Sequence, residues 1–255
     1  MDALERRREF FSRLVTAHVR GGDGQLQQAF QRTPREKFLG PGPWRAFTAA
    51  GYLDIPEGDA GLVYQDIPVA LAPERGINNG QPSLHALCLA ALAPRLGEHV
   101  LHIGAGTGYY TAILAHLVGA DRAGSGEVDA YELEADLAAR ATENLAGYPG
   151  VRVHARDGTR AGLAAAGIIY VNAGASAPAP AWLASLEMGG RLLFPLTAAS
   201  GAGAMLLVTR HADATLLEAR LLLPVAFIPC VGAQDSSRAA ALAAAFERGG
   251  WKGVR

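Results

Sequence analysis

Apolar residues recur along this chain in two rhythms, one belonging to helices and one to buried strands. In residues 2–20, Leu4, Phe11, Leu14, Val15 and Val19 fall on or near one face, which predicts an amphipathic helix ended by Gly21 and Gly22. A second short helix is predicted over 25–31. From residue 100 onward, short apolar runs alternate with helically spaced ones. Strands are predicted over 100–103, 127–133, 151–155, 167–171 and 190–195. The helices between them are one carrying Tyr110, Ile113, Leu114 and Leu117, then 135–145 and 181–189. Strands alternating with helices imply parallel pairing. Residues 205–209 and 216–228 read as strands with no helix between them, and a last helix over 237–246 is expected to cap a sheet edge. The class is therefore α/β: a central, mostly parallel sheet, helices on both faces, and an antiparallel edge.

Ahead of this alternation the pattern is broken. Gly40-Pro41-Gly42-Pro43 ends regular structure, and residues 40–63, with Trp44, Phe47, Tyr52 and Leu53, are expected to form an ordered loop or short helical insert. Residues 64–71 read as extended, 74–81 as turns, and Pro82 opens a helix over 83–92. The organisation expected is an N-terminal extension (1–75) packed on a core (76–235), with a C-terminal helix and tail (236–255).

Composition narrows the class. Half the residues are hydrophobic and 18% are charged, which favours a packed core over disorder. A net charge of −1 gives no field that would draw nucleic acid or an anionic membrane. The Arg6–Arg8 cluster is followed by no apolar signal region, and no run approaches the roughly 20 apolar residues of a membrane span. Cys88 and Cys230 stand far apart, so a reducing, cytoplasmic setting is expected. The histidines show no ligand spacing, and His99 and His102 fall on opposite faces of one strand, so no metal is expected.

The chemistry centres on residues 99–111. A short apolar strand ends in Gly104, Gly106 and Gly108, and a helix follows, so backbone N–H groups meet a ligand with no side chain between. A dinucleotide fingerprint wants a third glycine at position 109, where Tyr109 stands. The pattern favours S-adenosylmethionine over a nicotinamide cofactor. Glu132, at the end of the next strand, is placed to accept from two ribose hydroxyls, and Asp157-Gly158, after the third, to meet the adenine amino group. Asn172 opens the loop after the fourth strand, and residues 77–85 lie near the same strand ends.

Taken in order, these pieces resemble the protein L-isoaspartate O-methyltransferase family. The resemblance runs from about Arg35 to Cys230 and is carried by Arg35 with Phe38-Leu39, Tyr64-Gln65-Asp66, Gln81-Pro82, the glycine turn, Glu132, Asp157-Gly158, the Val171 to Ala175 stretch, Gly189-Gly190-Arg191 and the Val225 to Pro229 stretch. It implies a Rossmann-like methyltransferase fold and a donor site at His102, Gly104, Ala105, Gly106, Thr107, Gly108, Tyr109, Glu132, Leu133, Asp157, Gly158 and Asn172. Asn78, Asn79, Gly80 and His85 are the catalytic candidates on the acceptor side. Where the family carries Thr-Ile-Ser, this chain has Asn78-Asn79-Gly80. His102 stands at an acidic position, Gly167 at an aspartate, and the stretch from Phe38 to Tyr64 is longer.

A carboxylate acceptor is already ionised at neutral pH and needs no base. A hydroxyl or amine acceptor would call on His85. The expected activity is methylation of a protein or peptide carboxylate from S-adenosylmethionine, by a chain expected to work as a monomer. The alternatives are another peptide or small-molecule acceptor, or a non-catalytic S-adenosylmethionine-binding homologue.

Overall fold

The computed structural model describes residues 2–56, 59–211, 213 and 216–249. Its centre is a seven-stranded sheet. The strands are β1 (His99–Ile103), β2 (Glu127–Glu132), β3 (Val151–Ala155), β4 (Ala166–Val171), β5 (Leu186–Thr197), β6 (Ala202–Arg210) and β7 (Leu217–Ala226), in the order β7-β6-β5-β4-β1-β2-β3. Neighbours from β5 to β3 are parallel, whereas β6 runs antiparallel to both β5 and β7. The chain moves outward from β1 to β3, then returns to β4 beside β1. That reversal opens a crevice at the carboxyl ends of β1 and β4, where α/β sheets hold their ligands.

Helices α1 (Ala3–Thr16), α2 (Gly24–Arg32), α3 (Arg35–Leu39) and α4 (Pro82–Leu92) precede the sheet; α5 (Tyr109–Val118), α6 (Ala135–Asn144), α7 (Pro180–Ser185) and α8 (Ser236–Glu247) follow within and after it. The start of α1 is fixed by a capping box, in which Glu5 N–H donates to Asp2 and Asp2 N–H to Glu5. Along β1 the side chains alternate. Val100 joins the core of α1, α2, α4 and α5, while Leu101 and Ile103 pack with Trp182 of α7 and Phe194 of β5. Helices therefore cover both faces unequally, and on the α7 side the segments around Leu163 and Cys230 complete the cover.

Three expectations need correction. Residues 40–63 form neither a plain loop nor a helical insert: Arg45–Thr48 and Gly51–Asp54 pair as a hairpin, and Ala60–Val63 is a 3₁₀ turn. Phe47 N–H donates to Pro68 O at 2.9 Å, so main-chain pairing moors the hairpin to the core. The extended 64–71 segment narrows to Ala70–Ala72, paired with Ile77–Asn78. The helix of 181–189 stops at Ser185, and β5 takes over at Leu186, with Gly189 at φ +75°. The N-cap of α8 is tied to the loop after β4, through Asp235 N–H to Ser176 Oγ at 2.8 Å. Residues 57–58 of the insert and 250–255 of the expected tail lie outside the described residues.

Candidate active site

The turn after β1 is built from three glycines with left-handed φ: Gly104 (+76°), Gly106 (+57°) and Gly108 (+92°). Gly104 and Ala105 N–H both donate to Tyr131 O, at 2.9 and 3.1 Å, which presses the turn against the end of β2. Gly106 N–H donates to Glu132 Oε2 at 2.7 Å, and Glu134 N–H to Oε1 at 3.0 Å. Burial pushes the Glu132 carboxyl above its ordinary value, and these backbone donors offset part of that. A buried carboxylate in reach of a glycine turn suits two ribose hydroxyls.

After β3, Asp157 accepts from Thr159 N–H (2.8 Å), Thr159 Oγ1 (2.7 Å) and Arg160 Nε (2.9 Å). Burial raises its carboxyl, but these bonds outweigh burial and leave it below the ordinary range. Gly158 follows because a Cβ there would come within 2.9 Å of Ile103. Its carbonyl accepts from the buried Trp182 Nε1 at 2.8 Å, so α7 anchors this turn from beneath. Arg156 lies over the Tyr131 ring, 5.1 Å from its centre.

Two chambers meet at this crevice. The smaller, about 340 Å³, is lined by Glu132, Leu133, Asp157, Gly158, Cys230 and Val231 among others. The larger, about 540 Å³, is lined by Asn79, Gly80, His85, Ala105, Thr107, Tyr109, Phe47 and the stretch from Leu223 to Phe227. Asn78, Gly104, Gly106, Asn172 and Ile228 belong to both. The floor between the chambers is therefore the turn after β1 and the residue after β4, the place marked by the strand reversal.

On the acceptor side, Arg35 does what no spacing disclosed. Fully buried, its guanidinium donates to Val63 O (2.5 Å), Gln65 O (2.8 Å), Ile67 O (2.6 Å) and Asn79 Oδ1 (3.2 Å). Asn79 Oδ1 also accepts from Val69 N–H, so this candidate is occupied in holding the segment 63–69. Asn78 Oδ1 accepts from Gly80 N–H at 2.9 Å and turns the chain toward Pro82. Asp66 accepts from Ser83 N–H (2.7 Å) and Ser83 Oγ (2.6 Å) at the start of α4. His85 is buried, with Nδ1 2.6 Å from Tyr170 Oη. Where the resemblance implies a serine side chain, the His85 imidazole fills the space beside Gly80.

Two expected donor residues line neither chamber. His102 is wholly buried, with Nδ1 2.8 Å from Thr111 Oγ1 and Nε2 2.8 Å from Asn172 Nδ2, so it positions Asn172 from behind. Gly108 is glycine because a Cβ would fall 2.7 Å from Leu145, where α6 crosses. Thr107 and Tyr109 face the larger chamber and not the donor side, and Thr107 Oγ1 donates to Phe38 O at 2.5 Å. Phe47 of the 40–63 insert lines the larger chamber, whereas reasoning from sequence missed Arg75, Arg156 and Cys230 on the smaller. Of these, Arg156 alone had a signal, its place beside Asp157. No helix among the described residues is long and apolar enough to cross a membrane.

Comparison with known proteins agrees with this geometry. The profile of the family described as protein-L-isoaspartate(D-aspartate) O-methyltransferase matches residues 8–235, so the likeness reaches back through α1 and α2. Protein-L-isoaspartate O-methyltransferase 2 of Anaeromyxobacter sp. (strain Fw109-5) is 35% identical over 232 residues, 88% of this chain and 82% of that one. Its counterpart in Rhodopseudomonas palustris is 35% identical over 216 residues, 83% of this chain and 87% of that one. A solved protein-L-isoaspartate O-methyltransferase superposes with a TM-score of 0.73 at 25% identity, over 88% of this chain and 66% of that chain.

Proposed function

The chain belongs to the protein-L-isoaspartate(D-aspartate) O-methyltransferase family, and from that premise we propose that it transfers the methyl group of S-adenosylmethionine to a carboxylate of a protein or peptide, the isoaspartyl carboxylate first among them. The observation that carries this reading is the meeting of two chambers at Gly104 and Asn172. One chamber has the carboxylates for a nucleoside, the other the width for a peptide side chain.

The residues present fit the donor. Glu132 offers a buried carboxylate for ribose, Asp157 the acceptor for an adenine amino group, and Leu133 and Val231 apolar walls. Asn172 Oδ1 is buried without a partner, which leaves it free for a cationic amino group. When bound, S-adenosylmethionine supplies an electrophilic methyl on a sulfonium, and the reaction is an in-line displacement. The protein's work is positioning: the β1 turn fixes one reactant, and the segment from Asn78 to His85 faces the other. A carboxylate acceptor arrives ionised, so no residue has to remove a proton.

We place the reaction in the cytoplasm, with both cysteines free, and take a single chain as the working unit, because one chain lines both chambers. Calorimetry of S-adenosylhomocysteine binding tests the donor half. Saturable 1:1 binding by the wild type, weakened at least tenfold in Asp157→Ala, is expected; no binding by the wild type would refute the reading.

A further inference from the structure

Among the described residues, five that line the larger chamber carry a buried polar atom with no hydrogen-bond partner: Asn79, His85, Tyr109, Tyr110 and Asn172; of these, His85 Nε2 is the ring nitrogen beside Gly80. His85 is 2% exposed, and its ring is stacked on Tyr110 with centroids 3.7 Å apart. The edges of Tyr170 and Phe227 close in at 6.1 and 6.2 Å. Nδ1 is 2.6 Å from Tyr170 Oη, whereas Nε2 is buried with no partner. Nε2 is turned toward Gly80, where a side chain's first carbon would sit 2.1 Å away. Glycine at position 80 is what leaves this nitrogen room on the chamber wall.

The bond to Tyr170 sets the proton's place. Tyr170 Oη is 2.6 Å from His85 Nδ1 and faces it from the end of β4. With the tyrosine O–H donating to His85 Nδ1, the imidazole proton belongs on Nε2. Arg35 and His102 are the other titratable groups whose fields reach the ring, and both disfavour its cationic form. The imidazole is thus a neutral donor, held between Tyr110, Tyr170 and Phe227 before any ligand arrives.

We propose that His85 Nε2–H receives the acceptor carboxylate in the larger chamber and so selects a carboxylate over an amine or hydroxyl. One carboxylate oxygen accepts from Nε2–H while the other is left to attack. As the new O–CH₃ bond forms, the S–CH₃ bond breaks, its electron pair stays on sulfur, and no proton is released. An amine or hydroxyl acceptor would have to lose a proton, and Nε2, already protonated, could not take it. The inference rests on the methyltransferase reading of the site.

Nitrogen-15 NMR of histidine-labelled wild-type protein reads the tautomer directly. A protonated Nε2 on His85 is expected, and a protonated Nδ1 would overturn the proposal. Steady-state methylation of an isoaspartyl peptide by the wild type, His85→Leu and His85→Gln is the second arm. Loss of one hydrogen bond to a charged group should raise the peptide KM about 10- to 100-fold in His85→Leu, with part restored in His85→Gln. S-adenosylhomocysteine affinity should stay within about twofold of wild type in both. An unchanged peptide KM in His85→Leu, or a wild-type kcat/KM that climbs with a histidine-like titration between pH 5.5 and 8, would overturn the role of His85 alone. Failure of the wild type to bind S-adenosylhomocysteine would instead remove the methyltransferase reading beneath it.

Discussion

Gly80 and His85 are a matched pair: the first carbon of a side chain at position 80 would lie 2.1 Å from His85 Nε2. Gly80 also sits at φ +73°, where an L-residue is strained. Gly80→Ala is expected to destabilise the fold by about 2–4 kcal/mol, combining the left-handed backbone cost with overpacking against a fixed ring. Urea unfolding of the two single variants and the double variant Gly80→Ala/His85→Ala checks the pairing. The double variant should recover about 1–2 kcal/mol relative to the sum of the singles. Strict additivity would mean that the imidazole gives way freely.

Arg35 should matter to the acceptor side without lining the chamber. Its guanidinium donates to three main-chain carbonyls and to Asn79. Lysine, with a single charged nitrogen, cannot span them. Arg35→Lys is expected to lower stability by about 3–5 kcal/mol, the usual result of leaving a buried charge and its partners poorly matched. Hydrogen exchange should rise first in residues 63–69, before the β1 turn loosens. Protection unchanged in that segment would contradict the role of Arg35 as its anchor.

The buried histidines give stability a definite pH dependence. Burial lowers His85 and His102 to about 3 each, so the folded protein keeps both neutral while the unfolded chain protonates them below roughly 6.5. Stability should therefore fall as pH drops from about 6.5 toward 3, by about 1.4 kcal/mol per pH unit for each histidine. His99 acts in the opposite sense. Its bond to Asp129 raises it, so its contribution is complete below about 6.5 and fades as pH rises through the raised value. Denaturant melts across pH 4–8 should show the acid limb, shallower by about one proton in His102→Gln.

The parallel half of the sheet was legible because β1 and β4 are short apolar runs and helices follow β1, β2 and β4. Glu132 and Asp157 were legible for the same reason, as polar residues at the ends of such runs. The 40–63 stretch was not, since its hairpin is held by pairing with residue 68, a contact without sequence periodicity. The boundary at Leu186 was missed because an apolar helix end and an apolar strand start look alike. His102 was misplaced for a related reason. Strand alternation says which face a residue occupies, but not that Asn172 stands between it and the chambers.

The most direct test of the central claim is transfer of a radiolabelled methyl group from S-adenosylmethionine to an isoaspartyl peptide, comparing wild type with Glu132→Ala. Removing the carboxylate strands the Gly106 and Glu134 N–H groups and the ribose hydroxyls together, so transfer should drop about 100-fold or more. The expected product is a base-labile methyl ester on the peptide, formed by the wild type. A wild type that binds the donor yet labels no carboxylate, or a Glu132→Ala variant that transfers as fast as its parent, would contradict it.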